Sequence, residues 1–213
     1  MYSPAHFRID DLDDCLDIVE RRGFGTLVIS VDDALEATPI PWVVRRGPLG
    51  SARLLGHVSK ANPMARLADE TTALVVVDLL DGYVSPGWYP SKAEHGRVVP
   101  TWNYVSVHLH GEVRCVTDEA WLRDQVGRLT ARHEATMAQP WSMDDAPADY
   151  IDTMLRGIVG LEFLVERAEG KAKLSQNRTA TDVEGVVRGL QRVPGAGALA
   201  DEMVQRSVAK EAP

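Results

Sequence analysis

His57 begins a short polar segment whose side chains could together bind an anion. A hydroxyl, an ammonium and an amide follow it within one turn of chain, supplied by Ser59, Lys60 and Asn62. Donors and positive charge concentrated at the end of a predicted strand are typical of phosphate sites. An ordinary polar loop is the alternative interpretation, because the same residue types are common in turns.

A second cluster of cations lies where the sequence reads KAKLSQNR. Lys171 and Lys173 have the spacing that places two side chains on one face of a strand, and Gln176 and Arg178 follow them. The next acid is Asp182, although the whole chain has 31 acids and 23 bases. The segment predicts a local positive patch, and a solvated strand end before a helix is the alternative.

A third stretch combines aromatic rings with charge in a chain that is only 6% aromatic. Trp88 is followed by Lys92, and Trp102 lies between Thr101 and Asn103. Rings at this density build either a local core or a flat-sided pocket. Because the stretch also holds several charged residues, it favours a pocket for a planar anionic ligand.

Other chemistries lack their signatures. The sequence contains no G-x-S-x-G elbow, no phosphate-binding P-loop and no H-E-x-x-H motif, so no catalytic residue is assigned. His108 and His110 would share one face of a strand and could hold a metal, but no third ligand is evident nearby. We therefore predict no metal site.

Composition limits the partners and the location. The 213 residues carry a net charge of -8, which opposes binding to nucleic acid, and Cys15 and Cys115 cannot form a disulfide framework. No apolar run approaches the length of a membrane helix, and the acidic N-terminal segment does not suit a signal peptide. We expect a cytoplasmic protein without membrane contact, and we doubt direct DNA binding.

The elements that must position these residues are mostly short strands in the first half of the chain. Closely spaced strands without intervening helices favour an antiparallel barrel. We predict an α+β fold with a β-barrel core, a six-stranded antiparallel split barrel with flanking helices, in a single domain of residues 1–213.

The predicted helices run from an Asp10 cap to Gly23, over Asn62–Leu67, from a Thr117 cap to His133, after Pro147, from a Thr181–Glu184 capping box to Pro194, and over Ala198–Val208. The predicted strands are Phe24–Val31, Thr38–Val44, Arg53–Val58, Thr72–Leu79, a run from Thr101 to Val116 broken by Gly111, and Ile158–Glu166, after which Glu169 and Gly170 turn the chain into Lys171–Asn177.

Several strings along the chain resemble PaiB-type proteins. The VPTWNY string at 99–104 and the KLSQN string at 173–177 are the most specific, and all the strings occur in the family's order from end to end. The other matching residues are Met1, Tyr2, Pro4, His6 and Phe7; Gly56 to Val58 with Ala61 to Pro63; Trp88 to Lys92; and Val107, His108 and Gly111.

The resemblance implies an FMN-binding split β-barrel akin to pyridoxamine-phosphate oxidase, normally a homodimer with the flavin at the subunit interface. The family is usually described as FMN-binding negative transcriptional regulators, after a role in repressing protease synthesis and sporulation. The sequence departs from the pattern at Val58–Lys60, where many relatives carry a second basic residue, so the contact there is expected to rest on Lys60.

Combining the resemblance with the residues gives a set of expected flavin contacts. The phosphate would be bound by Ser59 and Lys60, near His57 and Asn62, with Lys173 or Arg178. The ring would lie against Trp102 or Trp88, with Thr101, Asn103 and Gln176 at its polar edge. Lys92 and His57 are the candidates for a cation beside the reduced flavin.

Two other functions stay open. Split-barrel relatives include flavin oxidoreductases, so the protein is alternatively an FMN-dependent enzyme acting on a small molecule, with NAD(P)H as a possible electron donor. Others degrade haem, and His6, His57 or His108 would then ligate the iron.

Overall fold

The structure is a computed structural model that describes residues 1–31, 33–67 and 70–211, without the side chains of positions 49 and 208–211. Within these residues it contains eight strands and six α-helices. The strands are β1 (Arg8–Ile9), β2 (Phe24–Val31), β3 (Ala34–Pro41), β4 (Val43–Arg46), β5 (Ala52–Ser59), β6 (Thr71–Val84), β7 (Thr101–Val116) and β8 (Ile158–Lys173). The helices are α1 (Leu12–Arg22), α2 (Ser91–His95), α3 (Glu119–Glu134), α4 (Ala148–Arg156), α5 (Ala180–Leu190) and α6 (Gly197–Glu211).

The strands form one sheet in the order β3-β2-β6-β7-β8-β5-β4, and β1 pairs with β8. The pairs β1–β8, β2–β3, β2–β6, β4–β5 and β5–β8 are all antiparallel. The α+β class with a large antiparallel sheet is therefore confirmed. The prediction of six barrel strands was wrong, because there are eight and the order ends at β3 and β4 without closing among the described residues.

One strand predicted from the sequence corresponds to two strands in the structure. The run Thr38–Val44 is divided at Trp42, which is fully buried and donates its backbone N–H to Gly23 O at 2.9 Å. That hydrogen bond continues the register of the β2–β3 ladder by one residue, and beyond Trp42 the chain pairs with β5 instead, so β3 ends at Pro41 and β4 begins at Val43.

Two glycines that predicted interruptions lie inside continuous strands. Gly170 pairs with Ile9, and a Cβ there would come within 2.7 Å of Ile9 Cβ and 2.8 Å of Cys15 Sγ. Gly111 lies within β7 against the backbone of Leu164. In both places glycine permits close approach of a neighbouring segment, which is a second use of a residue also common in turns.

Helix starts are displaced by one or two residues from the predicted caps. Asp11 rather than Asp10 accepts from Asp14 N at the start of α1, and Asp118 rather than Thr117 caps α3. Thr179 accepts from Asp182 N at the start of α5, in place of the predicted capping box. The predicted short helix is confirmed as a 3-10 helix over Pro63–Arg66, capped by Asn62.

The chain divides into two compact units. The first comprises Met1–Cys15, Asp78–Val107 and Glu169–Pro213, and the second comprises Leu16–Val77 and His108–Ala168. The prediction of a single domain stays a prediction.

Each unit has a core of its own. In the second unit, alternating residues of β2 such as Leu27 and Ile29 are buried, and Leu122, Ile151 and Leu155 of α3 and α4 form a cluster. This is the pattern expected for one buried sheet face and amphipathic helices. The buried core side chains of the first unit include Val84, Tyr89, Val105, Leu174, Val186, Leu190, Leu199 and Met203.

Neither thiol is in a disulfide, and burial, followed by nearby aspartates, raises the pKa of Cys15 to about 11. Such a thiol stays protonated and unreactive at neutral pH. Among the helices of the described chain, none has the length and apolar character needed to cross a membrane.

Candidate functional site

The candidate site lies in the first unit, where the end of β8 meets the start of β7. Lys173 Nζ donates to Thr101 Oγ1 at 2.6 Å and to the carbonyl oxygen of Trp102. Strand geometry explains these contacts. Thr101 and Trp102 begin β7 and Lys173 ends β8, and these two long strands are neighbours in the sheet. Three predicted ligand residues, Thr101, Trp102 and Lys173, are thus brought together.

Two further cations lie near enough to this ammonium to affect its pKa. The pKa of Lys173 is lowered, first by burial and then by the charges of Lys171 and Arg178. Burial and like charge both disfavour the ammonium form. A bound anion would relieve the repulsion, so this cluster of Lys171, Lys173 and Arg178, here called the cation cluster, is suited to a phosphate.

Each outer cation of the cluster is held by aromatic rings. Lys171 is buried, donates to Tyr2 O at 3.0 Å, and lies 5.2 Å from the ring centroid of Tyr104. The Arg178 guanidinium lies 4.9 Å from the ring centroid of Tyr89. Ring faces attract cations without neutralising them. These contacts fix the positions of both cations without pairing either of them with an acid.

No carboxylate among the described side chains pairs with any member of the cation cluster. Several arginines elsewhere are neutralised, such as Arg46 by Asp17 and Glu20. The contrast matters in a chain of net charge -8, because acids are plentiful and yet none of those described forms an ion pair with these three cations.

A buried polar network supports the loop that follows Lys173. The fully buried Asn103 donates from Nδ2 to Ser175 Oγ at 3.0 Å, and Ser175 Oγ donates back to Asn103 Oδ1 at 3.2 Å. Ser175 has a φ of 67°, a left-handed conformation that is costly for residues other than glycine. The side chain of Gln176 accepts from Leu174 N and donates to Ala172 O, both within the same segment.

Asn103 and Gln176 therefore stabilise the loop, whereas the sequence predicts that they contact the polar edge of the flavin ring. Both amides already have partners inside the protein. That placement leaves the predicted edge contacts as predictions. Lys171 is not among the predicted ligands, although it belongs to the cation cluster. Its spacing from Lys173, which places both side chains on one strand face, is the sequence feature that indicates this.

We expect the substitution Asn103→Ala to destabilise the protein by about 2 kcal/mol, because it leaves the buried Ser175 hydroxyl without its partner. Urea unfolding measures the change. Asn177→Ala is the matched control, since Asn177 is exposed in the same segment and should change stability little. Equal losses in the two variants would contradict the supporting role of Asn103.

Trp88 and Lys92 also lie in the first unit. The backbone of α5 approaches the indole of Trp88 closely, since a Cβ on Gly189 would overlap Trp88 Cδ2. Lys92 is exposed on α2. A polar cleft of about 360 Å³ beside α2 is lined by Arg178, Asn177, His95, Ser91 and the buried Asp182, among others, and Asp182 accepts from Ser91 N and Ser91 Oγ.

The remaining predicted residues lie in the second unit. His57 Nδ1 is 2.8 Å from Gln125 Oε1, Ser59 Oγ accepts from Ala61 N, and Asn62 caps its 3-10 helix. Lys60 is exposed and is held through its backbone N–H, which donates to a carbonyl oxygen at the end of α4. Local contacts thus position His57 and Asn62, and this group belongs to the second unit whereas the cation cluster belongs to the first.

The described side chains do not provide a set of metal ligands. No group of three or more His, Cys, Asp or Glu side chains suited to a metal ion occurs within residues 1–31, 33–67 and 70–211. His108 and His110 are both half-buried in β7, and His6 is exposed.

Comparison with known families identifies one family for most of the chain. Residues 1–167 match the family described as "Putative FMN-binding domain". The chain belongs to this FMN-binding domain family. The match ends before the cation cluster, which lies in the last quarter of the chain.

Curated relatives extend the similarity beyond the family domain. The chain is 28% identical to "Protease synthase and sporulation protein PAI 2" of Bacillus subtilis over 206 residues, which cover 95% of this chain and 96% of the relative. It is 32% identical to an uncharacterized protein of Aspergillus fumigatus over 202 residues, which cover 75% of this chain and 77% of the relative.

A solved structure of an FAD and haem binding protein from Mycobacterium smegmatis has the same fold. Its TM-score is 0.54 at 19% identity, and the match covers 85% of this chain and 80% of that one. Together with the family match, the split-barrel architecture of a flavin-binding family is established for this chain.

Proposed function

We propose that the protein binds FMN, with the flavin phosphate at the cation cluster and the ring against Trp102, and that it acts as a flavin-linked negative transcriptional regulator or sensor. The observation that carries the proposal is the group of three cations without acidic partners among the described side chains. Its members are Lys171, Lys173 and Arg178.

The residues present fit a phosphate monoester. Lys173 supplies an ammonium that already bonds to Thr101 Oγ1, and a hydroxyl beside an ammonium is a common pair of phosphate donors. The pKa of Lys173 is lowered first by burial and then by the charges of Lys171 and Arg178, and a dianion would offset that repulsion.

The residues present also fit a planar ring. Trp102 is 53% exposed although it lies in a strand, and Tyr83 packs edge-on to it with 6.4 Å between ring centroids. An indole held against a second ring offers a rigid surface for stacking. A bound flavin would supply reversible one- and two-electron chemistry at this surface.

Ser59 and Lys60 stay predicted phosphate ligands, and a homodimer with flavin at the interface and a cytoplasmic location belong to the same proposal. The regulatory part is supported by the relative that carries a protease synthesis and sporulation name. We do not extend it to direct DNA binding. Two of the three arginines of α3 are paired with acids, Arg128 with Asp124 and Arg123 with Asp152, which leaves little positive charge on this helix for a nucleic-acid groove.

Titration with three flavins tests the proposal. We expect FMN to quench tryptophan fluorescence with a dissociation constant in the micromolar range or below, and riboflavin, which lacks the phosphate, to bind at least about ten-fold more weakly. FAD in the same assay identifies which flavin is preferred. Equal binding of FMN and riboflavin would remove the phosphate assignment, and a Soret band after hemin titration would favour the haem alternative.

We expect the FMN affinity to depend on pH in a direction fixed by Lys173. The affinity should fall as pH rises through the lowered pKa of Lys173, because the neutral amine no longer attracts the dianion. It should also fall below pH of about 6, where a phosphate monoester takes up its second proton. Fluorescence titration across pH, with riboflavin as the control, measures both limits; riboflavin should show neither.

A further inference from the structure

A second cleft in the first unit is lined mainly by aromatic and aliphatic side chains. Its volume is about 380 Å³, and it lies between the end of β6 and the turn that follows α5. Tyr83, Trp88 and Trp102 provide aromatic surfaces, and Leu190 and Val193 provide aliphatic ones. A space of this size suits a molecule of one or two fused rings.

The aromatic walls are held in position. Tyr83 and Trp102 meet edge to face at 74°, with about half of each side chain exposed. Trp88 is backed by α5, where Gly185 and Gly189 leave room for its backbone and its indole. Rigid walls reduce the ordering cost of binding, so a small ligand gains more from the contact.

One charged group lines the cleft. Asp81 is exposed, and no side chain in the described part of the chain donates to it or forms an ion pair with it. The ammonium of Lys173 is turned toward Thr101 and the Trp102 carbonyl, and Lys173 is absent from the lining. The cleft therefore combines electron-rich ring faces with an unpaired carboxylate.

Electron-rich ring faces and a carboxylate together select for positive charge. Indole and phenol rings attract organic cations, and quaternary ammonium groups are recognised in aromatic surroundings of this kind. The net charge of -8 adds a long-range attraction for cations and disfavours anions.

We propose that this cleft is a binding site for a planar aromatic cation, separate from the cation cluster. The ring of the ligand stacks among Tyr83, Trp88 and Trp102, and its positive charge lies toward Asp81. The cleft shares the Trp102–Tyr83 surface with the proposed flavin ring contact. Asp81, which supplies the preference for a cation, takes no part in any proposed FMN contact, so the site does not require the flavin.

Calorimetric titration with a matched pair of probes tests the site. N-methylquinolinium is a planar cation, and quinoline is its neutral counterpart at pH 7.5. We expect the cation to bind at least about five-fold more tightly than quinoline, as exposed cation–ring and carboxylate contacts predict. Binding of both probes with the same affinity, or of neither at about 10 mM, would overturn the proposal.

Two variants and one control locate the binding. Asp81→Asn should remove the preference for the cationic probe, and Tyr83→Leu should weaken the binding of both probes. Asp78→Asn is the control, because Asp78 is an exposed acid of the same strand outside the cleft. If Asp78→Asn has the same effect as Asp81→Asn, the preference comes from overall charge and the site is wrong.

Two further measurements distinguish this site from the flavin site and from an interface between two copies of the chain. FMN affinity should be unchanged in Asp81→Asn. The flavin proposal can therefore fail while the cation site is confirmed, and the cation site can fail while the flavin proposal is confirmed. The mass of the protein in solution should be the same in Tyr83→Leu as in the parent chain. A loss of oligomers in that variant would assign the cleft to a second copy and overturn the ligand site.

Discussion

Replacing Lys173 with methionine is expected to lower FMN affinity by about ten- to a hundred-fold, because the phosphate loses a charge-assisted hydrogen bond. The effect should be specific to the phosphate, so the affinity for riboflavin should change little. Fluorescence titration of both flavins against the variant measures the difference. The size of the effect follows from the site, where Lys173 is the cation closest to Thr101 and Trp102.

Arg192→Gln is the matched control for Lys173→Met. Arg192 is an exposed cation of the same unit just after α5, and its substitution removes the same unit of charge from the surface. If both variants lose FMN affinity equally, long-range charge rather than a contact holds the phosphate. Thermal unfolding of Lys173→Met should stay within about 3 °C of the parent, because its loss also removes repulsion from Lys171 and Arg178.

The sequence pattern predicts the sheet well where side chains alternate cleanly. Phe24–Val31 matches β2 at both ends, because Leu27 and Ile29 are buried between less buried neighbours. The pattern fails at Trp42, where the chain stops pairing with β2 and begins to pair, as β4, with β5. Such a change of partner strand depends on residues distant in sequence, so local periodicity does not contain it.

Glycine caused two further errors in the strands. Gly170 and Gly111 each predict an interruption from sequence, since glycine is frequent in turns and bulges. In the structure both serve close packing against a neighbouring segment inside an unbroken strand. The residue type is the same in both uses, and only the position of the partner distinguishes them.

The candidate site was predictable in part for a similar reason. The cations of the KAKLSQNR string and the exposed Trp102 are visible as unusual composition, and the structure brings Lys173 to Thr101 and Trp102. The internal hydrogen bonds of Asn103 and Gln176 were not visible, because a polar side chain in a motif looks the same whether it binds a ligand or supports a loop. The buried Asn103 supports the loop, and the predicted contacts with the flavin edge stay predictions.

Gly111→Ala is expected to cause the largest loss of stability, about 3 kcal/mol. The added Cβ would overlap Leu164 O and lie 3.0 Å from Leu164 C, both backbone atoms of the strand β8. A flexible side chain can move aside, but two paired strands must separate to accept the methyl group. Circular dichroism during heating should show the midpoint lowered by roughly 6–12 °C.

Gly197→Ala separates this steric effect from the general consequences of adding a methyl group. Gly197 begins α6, and a Cβ there meets no atom within 4 Å. Alanine is a better helix former than glycine and restricts the unfolded chain, so this variant should be neutral or slightly more stable. If the two variants unfold at the same temperature, β7 and β8 do not approach closely at Gly111. In that case glycine would interrupt the strand there, as local sequence alone predicts.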